Sequence, residues 1–351
     1  MKKEIFPILF LLLLITLFFY PVLFQNRTFI TTGLIQSDLM NQNYPLKFAY
    51  GQKLKEGKLL LWSSLIGNGY PVFAEGQTGE LYPPNLLLFK LLSPLRAYNY
   101  SLLGHYFLAG FFTYLFCRRI LKLKKISALL SSVIFPLSGF FQTHLVHPAM
   151  IQTASYIPLN LLLLEKILVS KKRRKDYIIA LAVVFTLQFL AGHHELLYFT
   201  IIFLFIYLAL RTFQIYKKKF LLPFLSSAFC FFLSGLLALC LSAVQFLPTI
   251  ELVKFSTRKF GLSFQEATAY LFPLSHLFTF IFPRKFKFSS TVNYSAKFPD
   301  AINLWETYGY VGILPLILAG VTIIVWILNI IKKPQKTKIG NWELGIGNCF
   351  I

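Results

Sequence analysis

Apolar stretches long enough to cross a bilayer recur along this 351-residue chain, and they remove most of the folds otherwise open to it. Spanning about 30 Å of hydrocarbon takes roughly 20 apolar residues in a helix. Stretches at about 5–24, 98–117, 126–142, 149–169, 177–193, 196–213, 221–248 and 309–331 qualify, which predicts eight transmembrane helices and an all-α polytopic membrane protein. Composition agrees, with 56% hydrophobic and 14% charged residues, where a soluble domain carries about a quarter charged. A soluble globular protein is excluded. Two places are weaker: 98–117 begins on the polar run 98–101, and HLVHP at 144–148 interrupts one long apolar run, as a hairpin tip would.

The formal net charge of +22 raises the question of a nucleic-acid partner. The distribution of the cations answers it. Of 35 Lys and Arg, 21 fall in dense clusters at alternate connections: Lys2 and Lys3; Arg118, Arg119, Lys122, Lys124 and Lys125; Lys166 with 171–175; Arg211 with 217–219; and Lys332, Lys333, Lys336 and Lys338. Short loops rich in Lys and Arg stay cytoplasmic. That places the N-terminus inside and two long loops, about 25–97 and 249–308, outside. Nine of the 13 acidic residues fall on the outer side. The basic clusters thus set topology, in short loops without interleaved aromatics, and nucleic-acid binding loses its support. Residues 1–24 read as a retained first helix, because the apolar run is long for a signal peptide and no small-residue cleavage site follows. Residues 1–331 form one membrane domain, and 332–351 a cytoplasmic tail without expected structure. Cys117, Cys230, Cys240 and Cys349 offer neither an outer disulfide framework nor a metal-ligand spacing.

Loops beyond about 15 residues usually carry function or are disordered, and the first outer loop has the aromatic anchors of an ordered one. Its segment 45–57 reads as an amphipathic helix, with Leu46, Ala49, Tyr50 and Leu54 on one face and Lys47, Lys53, Lys55 and Glu56 opposite. Such a helix lies in the interface above a bundle. Asp38, one of three aspartates, precedes it. One reading makes Asp38 a helix cap; the other makes it a general base or substrate-binding carboxylate at the membrane surface, where partial loss of water sharpens a carboxylate's basicity. Glu75, Gln77 and Glu80 stand in a Gly-rich turn that either presents polar groups to a sugar or headgroup or carries solvated acids. His144 and His147 sit at one outer tip, and His193, His194 and Glu195 at the next. If the hairpins pack side by side, imidazoles and a carboxylate converge, as for a metal, a phosphate or a proton relay. In the second outer loop Lys254, Arg258, Lys259, Arg284, Lys285, Lys287 and Lys297 either clamp a lipid phosphate or form a solvated basic loop. Glu306 stands where the chain enters its last span, beside the interface anchors Trp305, Tyr308 and Tyr310.

Five segments carry a resemblance: SDLMNQNYP at 37–45, LWSSLIGNGYPVFAEGQTGELYPPN at 61–85, SGFFQTHLVHPAMIQTASYIPL at 138–159, QFLAGHHELLYF at 188–199 and ETYGYVGILPLILA at 306–319. In this order the chain from about 38 to 312 resembles the N-terminal half of the YfhO family of bacterial membrane proteins, which are similar to the GT-C membrane glycosyltransferases. The resemblance implies a GT-C-like fold, a polyprenyl-phosphate-linked sugar as donor, an outward-facing site and a glycosylated envelope polymer such as teichoic acid as product. It also implies an acidic residue on the first outer loop as the base or the acceptor-orienting group, and Asp38 matches. Glu75, Gln77, His144, His147, His193, His194, Glu195, Arg258 and Glu306 are the residues expected to bind substrate. No cofactor is indicated, and a divalent metal is compatible with the site without being indicated. The chain departs from the family at 192–195, where GHHE replaces GHPQ. Family members are longer, so a truncated or split product is expected. A lipid or glycan transporter, or an inactive fragment of the enzyme, are the alternatives. A transporter buries ionisable groups mid-span, whereas Gln188 and Gln245 are the polar residues noted in the fifth to seventh spans.

Overall fold

The computed structural model describes residues 4–25, 27, 38–170, 172–268, 272–282 and 309–332. Apart from one isolated bridge between Ser63 and Tyr70, every regular element among these residues is helical. Hydrocarbon offers the backbone no partners, and a helix satisfies its own. Helix α1 is Ile5–Phe18; α2, Tyr44–Lys55; α3, Pro83–Leu91; α4, Pro94–Arg119; α5, Lys125–Ile134; and α6, Pro148–Ala154. Then come α7, Ile157–Val169; α8, Arg174–Leu190; α9, His194–Tyr216; α10, Leu221–Leu241; α11, Ala243–Lys254; and α12, Ile313–Lys332.

Among the described residues three segments are long and apolar enough to cross a membrane, Lys125–Thr143, His194–Lys219 and Leu221–Leu241, and Ile5–Phe18 and Ile313–Asn329 are shorter apolar helices. Three of the expected spans depart from one continuous apolar helix, each for a visible reason. The 149–169 run divides at Ser155 and Tyr156, because Pro158 in the first turn of α7 has no N–H to continue a helix from α6. The 221–248 run divides at Ser242, whose Oγ donates back to the Ala238 carbonyl at 2.7 Å. Helix α4 has a polar start because that face is buried: Asn99, Ser101, His105 and Thr113 all point into the bundle.

The outer surfaces of α9 and α10 expose Phe199, Phe203, Ile206, Leu222, Phe229 and Phe232, as helices facing lipid do. Inside, α1 packs on α4 through Leu11, Ile15, Phe19, Leu102, Tyr106 and Ala109. Helices α7 to α10 share a second cluster that includes Leu164, Ile167, Leu181, Phe185, Leu204 and Phe231. Without a hydrophobic drive between helices in lipid, small residues and internal hydrogen bonds hold such bundles. Asn160 donates to Gln188 Oε1 at 2.7 Å, joining α7 to α8. Gly110 lets α4 approach α5 and α1, since a Cβ there meets the Ser132 carbonyl at 2.6 Å and Leu11 Cδ2 at 3.0 Å. Gly110→Val is therefore expected to cost about 1–3 kcal/mol, seen as a lower midpoint of thermal unfolding in detergent.

Successive helices joined by short turns alternate in direction, so the described basic residues at 118–125, 172–175 and 211–219 collect at one end of the bundle. There α4 ends at Arg118 and Arg119, α5 begins at Lys125, and Glu4 accepts from Arg118 Nη2 at 3.0 Å. Asp38, the 144–147 tip and the 192–195 turn lie at the other end.

Candidate functional site

Asp38 leads into a π-helical turn, Leu39–Asn43, that runs directly into α2. It does not cap that helix. Its backbone is already helical, its side chain makes no capping bond, and its Oδ2 meets His147 Nε2 at 2.9 Å. Asn43 fixes the approach by donating to the Val146 carbonyl at 2.9 Å, which ties the turn to the HLVH tip. The Asp38 side chain is 55% exposed, open to an incoming group on one side and held by its hydrogen-bonding partner His147 on the other.

His147 is itself oriented. Its Nδ1 lies 3.3 Å from Nδ1 of His144, a ring that is 2% exposed and that burial, with His147 and His193 adding to it, depresses to a pKa of about 3. With both rings neutral, His144 carries its proton on Nδ1 and donates to His147 Nδ1. His147 Nε2–H then donates to Asp38. The three side chains form a directed chain from the buried tip to the exposed carboxylate. His193 joins them electrostatically: burial lowers its pKa, Glu195 opposes that shift and His147 reinforces it. Its Nδ1 accepts from the Leu196 N–H at 3.1 Å, capping α9. Glu195, exposed in the first turn of α9, sits where a helix N-terminus favours negative charge.

The glycine-rich turn 76–79 packs against this tip. A Cβ on Gly192, where φ is +98°, meets the Gly76 carbonyl at 2.4 Å, and one on Gly76 meets His194 Cε1 at 3.1 Å. Only glycine tolerates both the close approach and the positive φ. The turn is further tied down by Gln245, which donates to the Phe73 carbonyl at 2.7 Å, and by Thr249, which donates to the Ala74 carbonyl at 2.8 Å. His194 lies against Phe189, ring centroids 4.4 Å apart. Gln77 is exposed, and its N–H donates to Glu75 Oε2 at 3.0 Å. Burial raises Glu75 to a pKa of about 7, against the pull of that N–H and of Lys47. Glu80 is no solvated acid either: it is 2% exposed and is likewise raised to about 7 by burial.

The structure thus joins Asp38, His144, His147 and His193, and sets Glu75 and Gln77 on an adjoining turn that packs against His194. Arg258 lies in the turn Thr257–Phe260. Glu306 lies outside the described residues, as do Arg284, Lys285, Lys287 and Lys297 of the second basic loop. Two charged or polar positions were not foreseen. Lys47, expected on the solvent face of α2, is 2% exposed. His105, in the middle of α4, accepts from Tyr82 Oη at 2.6 Å while its Nδ1 donates to the Ser101 carbonyl at 2.6 Å, and Tyr156 Oη donates to Tyr82 Oη at 2.7 Å. Among the described residues no group of three or more His, Cys, Asp or Glu is placed to hold a metal ion.

An all-helical bundle with lipid-suited surfaces, basic connections at one end and an Asp–His cluster at the other defines a polytopic α-helical membrane protein. The chain belongs to the family of the bacterial membrane protein YfhO, whose family model matches residues 7–325. No curated protein and no solved structure matches it.

Proposed function

We propose that the chain is a membrane glycosyltransferase that moves a sugar from a polyprenyl-phosphate carrier to an extracytoplasmic envelope glycan such as a teichoic acid. The observation that carries this reading is the chain His144–His147–Asp38, which ends on an exposed carboxylate at the end of the bundle away from the basic clusters. Asp38 takes the proton of an acceptor hydroxyl as its oxygen attacks the anomeric carbon from the face opposite the phosphate. The bond from the anomeric carbon to the phosphate oxygen breaks, and polyprenyl phosphate leaves with the electron pair. Lipid phosphate is already a competent leaving group, so no nucleotide site is needed. His147, donating to Oδ2, holds Asp38 in position and leaves Oδ1 to take the proton. Glu75, Gln77 and the histidines His193 and His194, with Glu195, offer hydrogen bonds to sugar hydroxyls and the phosphate, joined by Arg258 and Glu306 from the second outer loop. In this reading the site faces out of the cell, and the N-terminus lies in the cytoplasm.

The test supplies proteoliposomes with a labelled polyprenyl-phosphate sugar and a polymeric acceptor. Label in the polymer is the expected result. Label that crosses the bilayer unchanged overturns the reading in favour of transport, and label that does neither overturns it in favour of an inactive chain.

A further inference from the structure

A buried cation sits behind the turn that carries Glu75 and Gln77. Lys47 on α2 is 2% exposed, its Nζ donates to the Thr78 carbonyl and lies 5.6 Å from the centroid of the Phe89 ring. A lone ammonium in such a place is expensive, and two carboxyls supply its counter-charge: Glu75 and Glu80 both interact with it. Glu80 is pinned independently, since its Oε2 accepts from the Leu60 N–H at 2.8 Å while its backbone carbonyl accepts from Tyr50 Oη at 2.8 Å. Its Oε1 is buried without a hydrogen-bond partner among the described residues. Glu75 is the partner nearer the site. It ends the short helix Val72–Glu75, immediately before the Gly76 that touches His194 and Gly192.

We propose that Lys47 is a positioning residue for the site, its ammonium holding the 75–78 turn against the 192–194 turn through the Thr78 carbonyl and supplying the positive charge that Glu75 faces. The proposal rests on the sugar-transfer reading for its consequence, though not for its geometry. As a carboxylate, Glu75 offers acceptor oxygens to sugar hydroxyls; once protonated it loses one of them. The titratable groups around this centre are Glu75, Glu80 and Tyr70 from the loop, Tyr50 from α2 beside Lys47, His105 from α4 and His194 from α9. Lys47 is the cation among them that pulls both acids toward the ionised form. Burial in turn lowers Lys47 to about 7, so the ammonium and the two acids compete for protons near neutrality.

Infrared titration of the solubilised full chain tests this directly. The carboxyl band lost in Glu75→Gln reports Glu75, with an expected midpoint near 7 in the wild type. Lys47→Met is expected to move that midpoint up by about one pH unit. Glu80→Gln, which removes the carboxylate that most favours the Lys47 ammonium, leaves less positive charge facing Glu75 and is expected to move it up by a smaller amount, and it decides the matter if the methionine variant does not insert. The acid limb of the transfer rate against pH is expected to shift in the same directions. A midpoint unchanged in either folded variant overturns the proposal, whatever happens to the rate, because a merely structural lysine lowers activity without moving a titration. If no sugar transfer is found, the infrared result still stands by itself.

Discussion

Asp38→Asn is expected to lower sugar transfer by about 10²–10⁴-fold, the usual contribution of a positioned proton acceptor. The substitution keeps the shape of the side chain, and an amide oxygen still accepts from His147 Nε2, so the 2.9 Å bond has no geometric reason to break. What is lost is the capacity to take the acceptor's proton. Folding and membrane abundance are expected to be unchanged, because the side chain is 55% exposed and caps no helix. His147→Ala is a useful companion. It leaves the carboxylate free to take the proton but removes what orients it, and a loss of about 10–100-fold is expected, of the size seen when an orienting partner is removed from a ligand. Rates measured on membranes matched for protein content check both. Wild-type transfer by Asp38→Asn overturns the assignment of Asp38 as base, and equal losses from the two variants assign His147 a part in the proton transfer itself.

That pairing also shows how far a sequence of this kind can be read. The helices were legible because their signal is one-dimensional: an apolar run has to be helical in hydrocarbon wherever it packs. Breaks within the runs were harder. Pro158 and Ser242 mark two of them, yet a proline or serine inside an apolar run is compatible with a continuous span when neighbours repair the freed backbone groups. The histidine tips were legible as neighbours of Asp38 only on the condition that the hairpins pack side by side, which α4 to α9 satisfy. Lys47 was assigned to solvent because lysine seldom goes inside. A trace of its burial was present: Lys47, Tyr50 and Gly51 fall at i, i+3 and i+4 on one face of α2, and all three are buried. The carboxylates that make the burial tolerable lie about 30 residues away, on a turn whose place is set by glycine contacts with α8 and α9, and no pattern local to α2 announces them. His105 escaped notice for a related reason, since its partners Tyr82 and Tyr156 come from two other segments.

The second large effect is expected far from the site, at the basic end of the bundle. Glu165 of α7 is 3% exposed, and its Oε1 accepts from Arg211 Nε and from Tyr207 Oη, both of α9 and both at 2.6 Å. Arg211→Met leaves that carboxylate buried with one neutral donor, and breaking a buried pair from one side costs about 3–5 kcal/mol. Removing both charges is different. Glu165→Leu with Arg211→Leu strands only the Tyr207 hydroxyl, so most of the lost stability is expected to return, at the cost of about one unmade hydrogen bond to that group. Denaturant unfolding in mixed micelles, read by tryptophan fluorescence, separates the three chains. The order wild type, double variant, single variant is the expected one. A single variant as stable as the wild type means that water reaches Glu165 and that the pair contributes nothing. The consequence extends to the site, because α9 begins at His194 and runs as one rigid helix to Tyr216. Freeing its Arg211 end from α7 loosens the element that presents the 192–195 turn to the glycine-rich loop, so the single variant is expected to transfer sugar less well than its abundance predicts, and the double variant to recover transfer along with stability.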